Sequence, residues 1–579
     1  MNSQEQGRRT FPISEKWIYS GLILLLLVLL VTTILLASVP PVDRDALTHH
    51  LFVPKLWLKH GGIYEIPEIH FSYYPMNLDL LYMIPLYFGN DIIPKYIHYC
   101  FALLTGLLLY RHLKKRLGMG YGLLGALFFL SVPIIVKLSI TVYVDLGVVF
   151  FTTASLLLLF HWAEKNFLPP YLILAGLCCG LAAGTKYNGL IGVVVLTLLV
   201  PMLYQQSATR ERQSNGKALL WGVVFAVATL ASFSPWLIRN HAWTGNPIYP
   251  LHNSLFQKWR APAINQHTPT QVDLADTLRQ ATRQGSSAFI SRKILYNEPW
   301  WQTLLLPLRF FYEGQDDNPR FFDGKLTPFL LLLPALAFLF RSTNARQRRE
   351  QKFLLSFALL YFFFTFFQEA MRIRYIVPIV PPLVILSMYG LQETLQRISA
   401  WIANPRLRKM VRLAVAACIL GSILGYNGQY LASQFAVVNP MPYLRGQISR
   451  DAYITTFRPE YPAIQHTNAV VPQNAKVLCI FLGNRGYYMD FQPVFEQPFG
   501  NGIFMQFLSK KQKNKNIVQM LNKENITHVL IRDDLTYSWV QQLKETERQF
   551  FSPLFNSATQ PIFSKFGYTL FAIIQPSHR

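Results

Sequence analysis

Between residues 43 and 79 the chain carries Asp43-Arg-Asp45-Ala-Leu-Thr-His49-His50, then Gly61-Gly62-Ile63-Tyr64 and Tyr73-Tyr74-Pro75, directly after a long apolar segment. Carboxylates at the mouth of an apolar bundle are costly to place, and by default they mark chemistry or ion handling. Other charges interrupt apolar stretches: Asp145 in Thr141-Val-Tyr-Val-Asp145, Lys186 in Gly184-Thr-Lys186-Tyr-Asn, Arg239 in Pro235-Trp-Leu-Ile-Arg239-Asn240, and the group Glu369, Arg372 and Arg374. Acid and cations at headgroup depth suit a lipid phosphate. Arginine grips phosphate through a planar fork and lysine acts as a point charge. If the phosphate departs, those cations stabilise its developing charge. Asp45 or Asp43 then serves as general base toward an attacking hydroxyl, and displacement with inversion is expected. Asp145 belongs with the aspartates as a catalytic candidate; Lys186, Arg239, Arg372, Arg374, His49 and His50 are the substrate-binding candidates.

Each residue has a plainer alternative. Asp145 at a helix start is favourable as a cap. Lys186, Arg372 and Arg374 at span ends are placed to snorkel. His49 and His50 are zinc-ligand types, but adjacent histidines lack a helix-spaced partner, and no metal site is assigned. Asp43-Arg44-Asp45 has the D-x-D spacing of a hard-cation grip, which leaves a divalent cation open, although nearby cations supply the same charge. No other cofactor is called for.

The elements that must hold these residues are membrane spans. About half of the 579 residues are apolar, in runs near twenty long, which excludes a string of soluble domains. The net charge of +24 does not mark a nucleic-acid binder, because the lysines and arginines cluster in alternate loops, as topology requires. About eleven spans are expected, at 18–38, 92–110, 120–138, 142–160, 170–185, 187–204, 217–237, 326–341, 352–368, 374–391 and 411–428. Basic clusters in every second loop place the N-terminus in the cytoplasm and the candidate residues outside, in a bacterial inner or plasma membrane. The first span reads as a retained anchor, being too long for a signal-peptide core. Residues 77–90 are too short and broken to cross and read as an interfacial helix with headgroup tyrosines. The outer segments are 39–91 and 238–325, the second long enough for small helices of its own. The five cysteines suggest no disulfide framework.

After residue 429 the composition changes. Lys476 to Gly483, Ile526 to Arg532 and Tyr568 to Ile574 are β-branched runs, with a helix-like stretch from Ile517 to Leu521. The expected architecture is mainly α: residues 1–429 form a polytopic transmembrane helical bundle, and 430–579 a small extracytoplasmic α/β domain. That domain lacks a nucleotide-binding glycine signature.

Asp45-Ala-Leu-Thr-His-His50 with Gly61-Gly62-Ile63, Tyr143-Val-Asp145, Gly180-Leu-Ala-Ala-Gly-Thr-Lys-Tyr-Asn-Gly189, Pro235-Trp-Leu-Ile-Arg-Asn240 with Thr244-Gly-Asn-Pro-Ile-Tyr-Pro250, and Arg374-Tyr-Ile-Val-Pro378 together resemble the polyprenyl-phosphate-dependent membrane glycosyltransferases of the GT-C fold. The branch resembled holds protein O-mannosyltransferases and lipid A aminoarabinose transferases. The resemblance implies transfer of a sugar from a polyprenyl-phosphate carrier to a lipid, glycan or protein acceptor on the outer face, with Asp45 as the first-loop base and Asp145 the second-loop acid. Lys186, Arg239 and Arg374 resemble positions facing the carrier phosphate. The family's Asp-Glu pair is absent, since Ala46 follows Asp45, and Asp43 is the candidate replacement. A transporter or flippase for a lipid-linked precursor is the alternative; it predicts internally repeated halves, which the sequence lacks.

Overall fold

The computed structural model describes residues 15–207, 214–257, 288–339, 342, 344–366, 371–496, 503, 517–556 and 558–574. Each of the eleven apolar segments falls on a helix or a bent helix pair. The bundle begins with α1 (Glu15–Ala37), then α2 (Phe52–His60), α3 (Asn77–Tyr87), α4 (Ile93–Leu117), α5 (Met119–Ser131), α6 (Pro133–Ser139), α7 (Asp145–Glu164), α8 (Pro169–Thr185), α9 (Gly189–Ser207) and α10 (Asn215–Thr244). It continues with helices Phe329–Leu339, Ala345–Thr365, Val380–Trp401 and Pro405–Val438. Among the described residues, five helices are long and apolar enough to cross a membrane by themselves. The span at 120–138 is broken: Pro133 opens α6, and α5 and α6 meet at 67°. The last bundle helix runs to Val438, so residue 430 lies inside it.

Small residues set the tightest helix contact. A Cβ on Gly180 of α8 would lie 2.1 Å from the Thr229 carbonyl oxygen of α10, so only glycine permits this approach. Asn77 at the start of α3 then ties the pair to the mouth, donating to the Leu181 carbonyl at 3.2 Å and accepting from the Trp236 indole at 2.8 Å. At the other end of α4, about 37 Å away at 1.5 Å per residue, Arg116 donates to Glu164 and, at 2.5 Å, to Glu350. Tyr389 donates to Glu350 at 2.6 Å.

The long segment after α10 forms short helices Asn253–Gln257, Ala288–Tyr296, Trp300–Leu304 and Leu306–Tyr312. Beyond Val438, strands β1 (Lys476–Ile480), β2 (Gln492–Glu496), β3 (Ile526–Arg532), β4 (Thr559–Lys565) and β5 (Tyr568–Ile573) form one sheet in the order β2-β1-β3-β5-β4. The first three are parallel, and β5 runs antiparallel to β3 and β4. Alternation along the strands supplies a core on each face: Leu478, Ile480, Val529 and Ile531 on one, Val477, Cys479 and Leu530 on the other.

Candidate active site at the bundle mouth

The first loop enters the site through a π-helical turn. The Leu51 N–H reaches back five residues to the Ala46 carbonyl at 2.9 Å, so Ala46–His50 is wider than an α-turn, and Asp45 precedes it. Lys95 of α4 holds the approach to this turn by donating to the Val39 carbonyl at 2.8 Å. The widened turn packs His49 and His50 inward, both buried.

Asp45 meets Arg374, 329 residues later, with Nη1 of the arginine donating to Oδ2 at 2.5 Å. Burial by itself would raise the Asp45 carboxyl, but Arg374 and the nearby histidines hold it well below the usual carboxylate range, so it is ionised. A second pair stands alongside: Lys186, following α8, donates to Asp145 at 2.7 Å. One ring links the pairs. Tyr375 has Lys186 at 5.6 Å and Arg374 at 5.4 Å from its centroid. Asp145 is the first residue of α7 and makes no side-chain capping bond, so its partner is the lysine. Its turn is pinned by His98 of α4, whose Nδ1 donates to the Thr141 carbonyl at 3.1 Å while Nε2 accepts from the Leu146 N–H at 3.0 Å.

The histidines turn away from metal chemistry. His50 Nδ1 lies 2.7 Å from Asp79 Oδ1, and His49 stacks on Phe71 with centroids 4.3 Å apart. Burial pushes the Asp79 carboxyl up to about 7 and the His50 imidazole down to about 3, so at neutral pH the pair shares one proton. A divalent cation does not fit these donors: Asp45 is occupied by Arg374, and among the described residues no three His, Cys, Asp or Glu side chains converge.

Arg239 and Arg372 bond to partners other than Asp45. Arg239 donates to the Tyr73 and Tyr74 carbonyls at 2.7 and 3.2 Å and sits between Trp236 and Trp243, bracing the strap beside His49. Arg372 pairs with Asp323 at 3.4 Å. Asp43 is half-buried, its charge acting on Lys137 and Arg458. Glu369 lies outside the described residues. Residues 77–87 do form the expected short helix, but Tyr82 is fully buried and donates to the Tyr143 carbonyl, while Tyr87 is the exposed one. Asp79, His98 and Lys95 are not among the residues expected from the sequence. An acid and two bases inside apolar helices were the available signal.

Several buried polar atoms at this mouth lack any partner: Asp145 Oδ2, Arg374 Nε, Arg239 Nη1, Asp79 Oδ2 and His49 Nδ1. Unpaired buried donors and acceptors of both signs are what a polar ligand would satisfy.

Residues 88–238 match the family model described as dolichyl-phosphate-mannose-protein mannosyltransferase. A sequence search of curated proteins finds no match. Among solved structures the chain is similar to ArnT from Cupriavidus metallidurans in the apo state, with 12% identity and a TM-score of 0.56, covering 96% of this chain and 98% of that one. It is similar at the same coverage to ArnT bound to undecaprenyl phosphate, with 14% identity and a TM-score of 0.58. The Archaeoglobus fulgidus oligosaccharyltransferase tethered with an acceptor peptide matches at 12% identity and a TM-score of 0.50, over 98% of this chain and 75% of that one. The fold is the GT-C fold expected from the sequence.

Proposed function

We propose that the protein is a multi-pass membrane glycosyltransferase that moves a sugar from a polyprenyl-phosphate carrier to an acceptor hydroxyl on the outer side, with inversion. The observation carrying this reading is the adjacency of two acid–cation pairs, Asp45–Arg374 and Asp145–Lys186, flanking one tyrosine. The matched family model and the undecaprenyl-phosphate complex of a similar fold support the carrier.

The carrier's phosphate is bound by Arg374 and Lys186, which costs Asp45 part of its partner. As Arg374 turns to the phosphate, the Asp45 carboxyl loses the charge that depressed its basicity and becomes a competent base. The acceptor oxygen attacks the anomeric carbon from the face opposite the phosphate. Its proton passes to Asp45, the carbon–phosphate-oxygen bond breaks, and the electron pair leaves on the phosphate. The two cations stabilise that charge in a site with little water. Asp145 keeps Lys186 aimed through their 2.7 Å bond. The His50–Asp79 pair acts at one remove, as positioning residues that lock the turn carrying Asp45 onto α3.

Purified protein supplied with radiolabelled polyprenyl-phosphate sugars, with label followed into candidate acceptors, tests the reading. Asp45→Asn is expected to lower turnover about 10²- to 10⁴-fold. Equal turnover by both proteins would remove Asp45 as the base.

A further inference from the structure

The C-terminal domain contains a cavity of about 340 Å³ lined by Arg458, Glu460, Arg485, Arg532, Asp534 and Tyr568. Three guanidiniums there face two carboxylates. Arg485 donates through Nε to Glu460 at 2.8 Å, and Arg532 grips Asp534 with bonds of 2.8 and 2.9 Å. Arg458 is different. Its Nη1 donates to the carbonyl of its neighbour Phe457 at 2.9 Å, and its Nε is buried without a partner. Burial and the adjacent Arg485 both push this guanidinium below its ordinary value. Glu460, already bonded to Arg485, offsets part of this, and Arg458 still keeps one buried donor unpaired.

The residues that follow Arg485 pack on the first loop and the start of α2. Gly486 abuts Phe52, where a Cβ would lie 2.4 Å from the ring. The Tyr487 N–H donates to the Leu47 carbonyl at 3.1 Å, two residues from Asp45, and the Tyr488 hydroxyl to the Pro41 carbonyl at 2.8 Å. Asp43 is close enough for its charge to act on Arg458.

We propose that this cavity binds a phosphate group carried by the acceptor, with Arg458 as its first contact, so that the acceptor is held beside the first loop; this rests on the transfer reading above. A phosphate monoester suits the cavity better than a carboxylate. It must compete with Glu460 and Asp534 for the arginines, and it brings a charge of about −1.5 to −2 against their single charges. The volume lies at the small end of ligand sites, which fits a headgroup.

Full-length protein in detergent, first saturated with undecaprenyl phosphate, is titrated by calorimetry with a short-chain phosphatidic acid and separately with inorganic phosphate. Arg458→Gln is expected to weaken binding at least tenfold. Glu460→Gln, which removes a competing carboxylate and frees Arg485, is expected to tighten it severalfold, an outcome misfolding does not produce. Response to the lipid alone assigns the site to a headgroup, and equal response to both assigns it to phosphate from either source. No binding by the wild type, equal affinity in Arg458→Gln, or a loss in Glu460→Gln would overturn the cavity proposal. Undecaprenyl phosphate binding, measured first in each protein, is expected to be unchanged by both substitutions. Its absence in the wild type would count against the carrier reading and leave the cavity result standing.

Discussion

Arg116 and Arg374 are both buried guanidiniums facing carboxylates, one at each end of the bundle, yet their surroundings differ. Arg116 is shared by Glu164 and Glu350, Glu350 also accepts from Tyr389, and His112 stands 3.6 Å from the same carboxylate. None of these five side chains leaves a buried polar atom unpartnered. At the mouth, Arg374, Asp145, Asp79, His49 and Arg239 each keep one. A closed network fixes helices, whereas an open one has capacity to spare for something that arrives. Buried charge alone therefore does not mark a site; at this mouth it is joined by donors and acceptors left open.

The comparison breaks first on activity. Asp45→Asn is expected to cut turnover by about 10²- to 10⁴-fold per folded molecule. Glu350→Ala is expected to do the reverse: about 3–5 kcal/mol of stability is lost because Arg116 stays buried short of a partner, and turnover per folded molecule is retained. Activity loss per folded molecule from Glu350→Ala matching that of Asp45→Asn would erase the distinction between the two ends.

A pH titration sharpens it. In the folded chain the His50–Asp79 pair holds one proton from about pH 3 to about pH 7. In the unfolded chain, with ordinary values of 6.5 and 3.8, the two groups also hold one proton between those values. The counts match, so the pair adds no slope to stability across that window. Above pH 6.5 the unfolded chain is empty while the folded one keeps its proton to about pH 7, and stability falls slightly as pH rises. Asp79→Asn changes the pattern: folded His50 stays neutral, unfolded His50 takes a proton, and stability falls with pH below 6.5 by about 1.4 kcal/mol per unit. Unfolding midpoints from pH 4 to 7 in both proteins read this directly, and parallel curves would show that burial does not raise the Asp79 carboxyl. The smallest effect is expected at the rim of the closed network, where Lys115 pairs with Glu164 but its side chain is half exposed. Lys115→Ala should cost less than about 1 kcal/mol.

The sequence exposed what is local. Apolar runs marked the helices, and β-branched runs marked β1, β3 and β5. The spacing of charges marked Asp45, Asp145, Lys186 and Arg374, because few residues interrupt apolar segments without cause. Pairing was another matter. Nothing in the order of residues says that Arg374 takes Asp45 while Arg372, two positions earlier, turns to Asp323. Arg239 has the same character in sequence as Arg374, but it spends its donors on the neighbouring Asn240 side chain and on backbone carbonyls, which carry no sequence signal. Asp79 was hidden in a short apolar helix read as interfacial, where only the tyrosines drew notice. Arg458 lay in a domain to which the sequence analysis assigned no chemistry.

The contacts of residues 486–490 with the first loop also bear on the order in which the protein is made. Lys55 donates to the Tyr487 carbonyl, a partner 432 positions further along the chain. At about 5–20 residues per second, roughly 20 to 90 seconds of translation separate the two. Throughout that interval Asp45 and its turn have left the ribosome without the segment that will cover them. A nascent chain thus holds its acid in place long before the pocket around it is whole, and premature release would yield a membrane-inserted protein with an incomplete mouth.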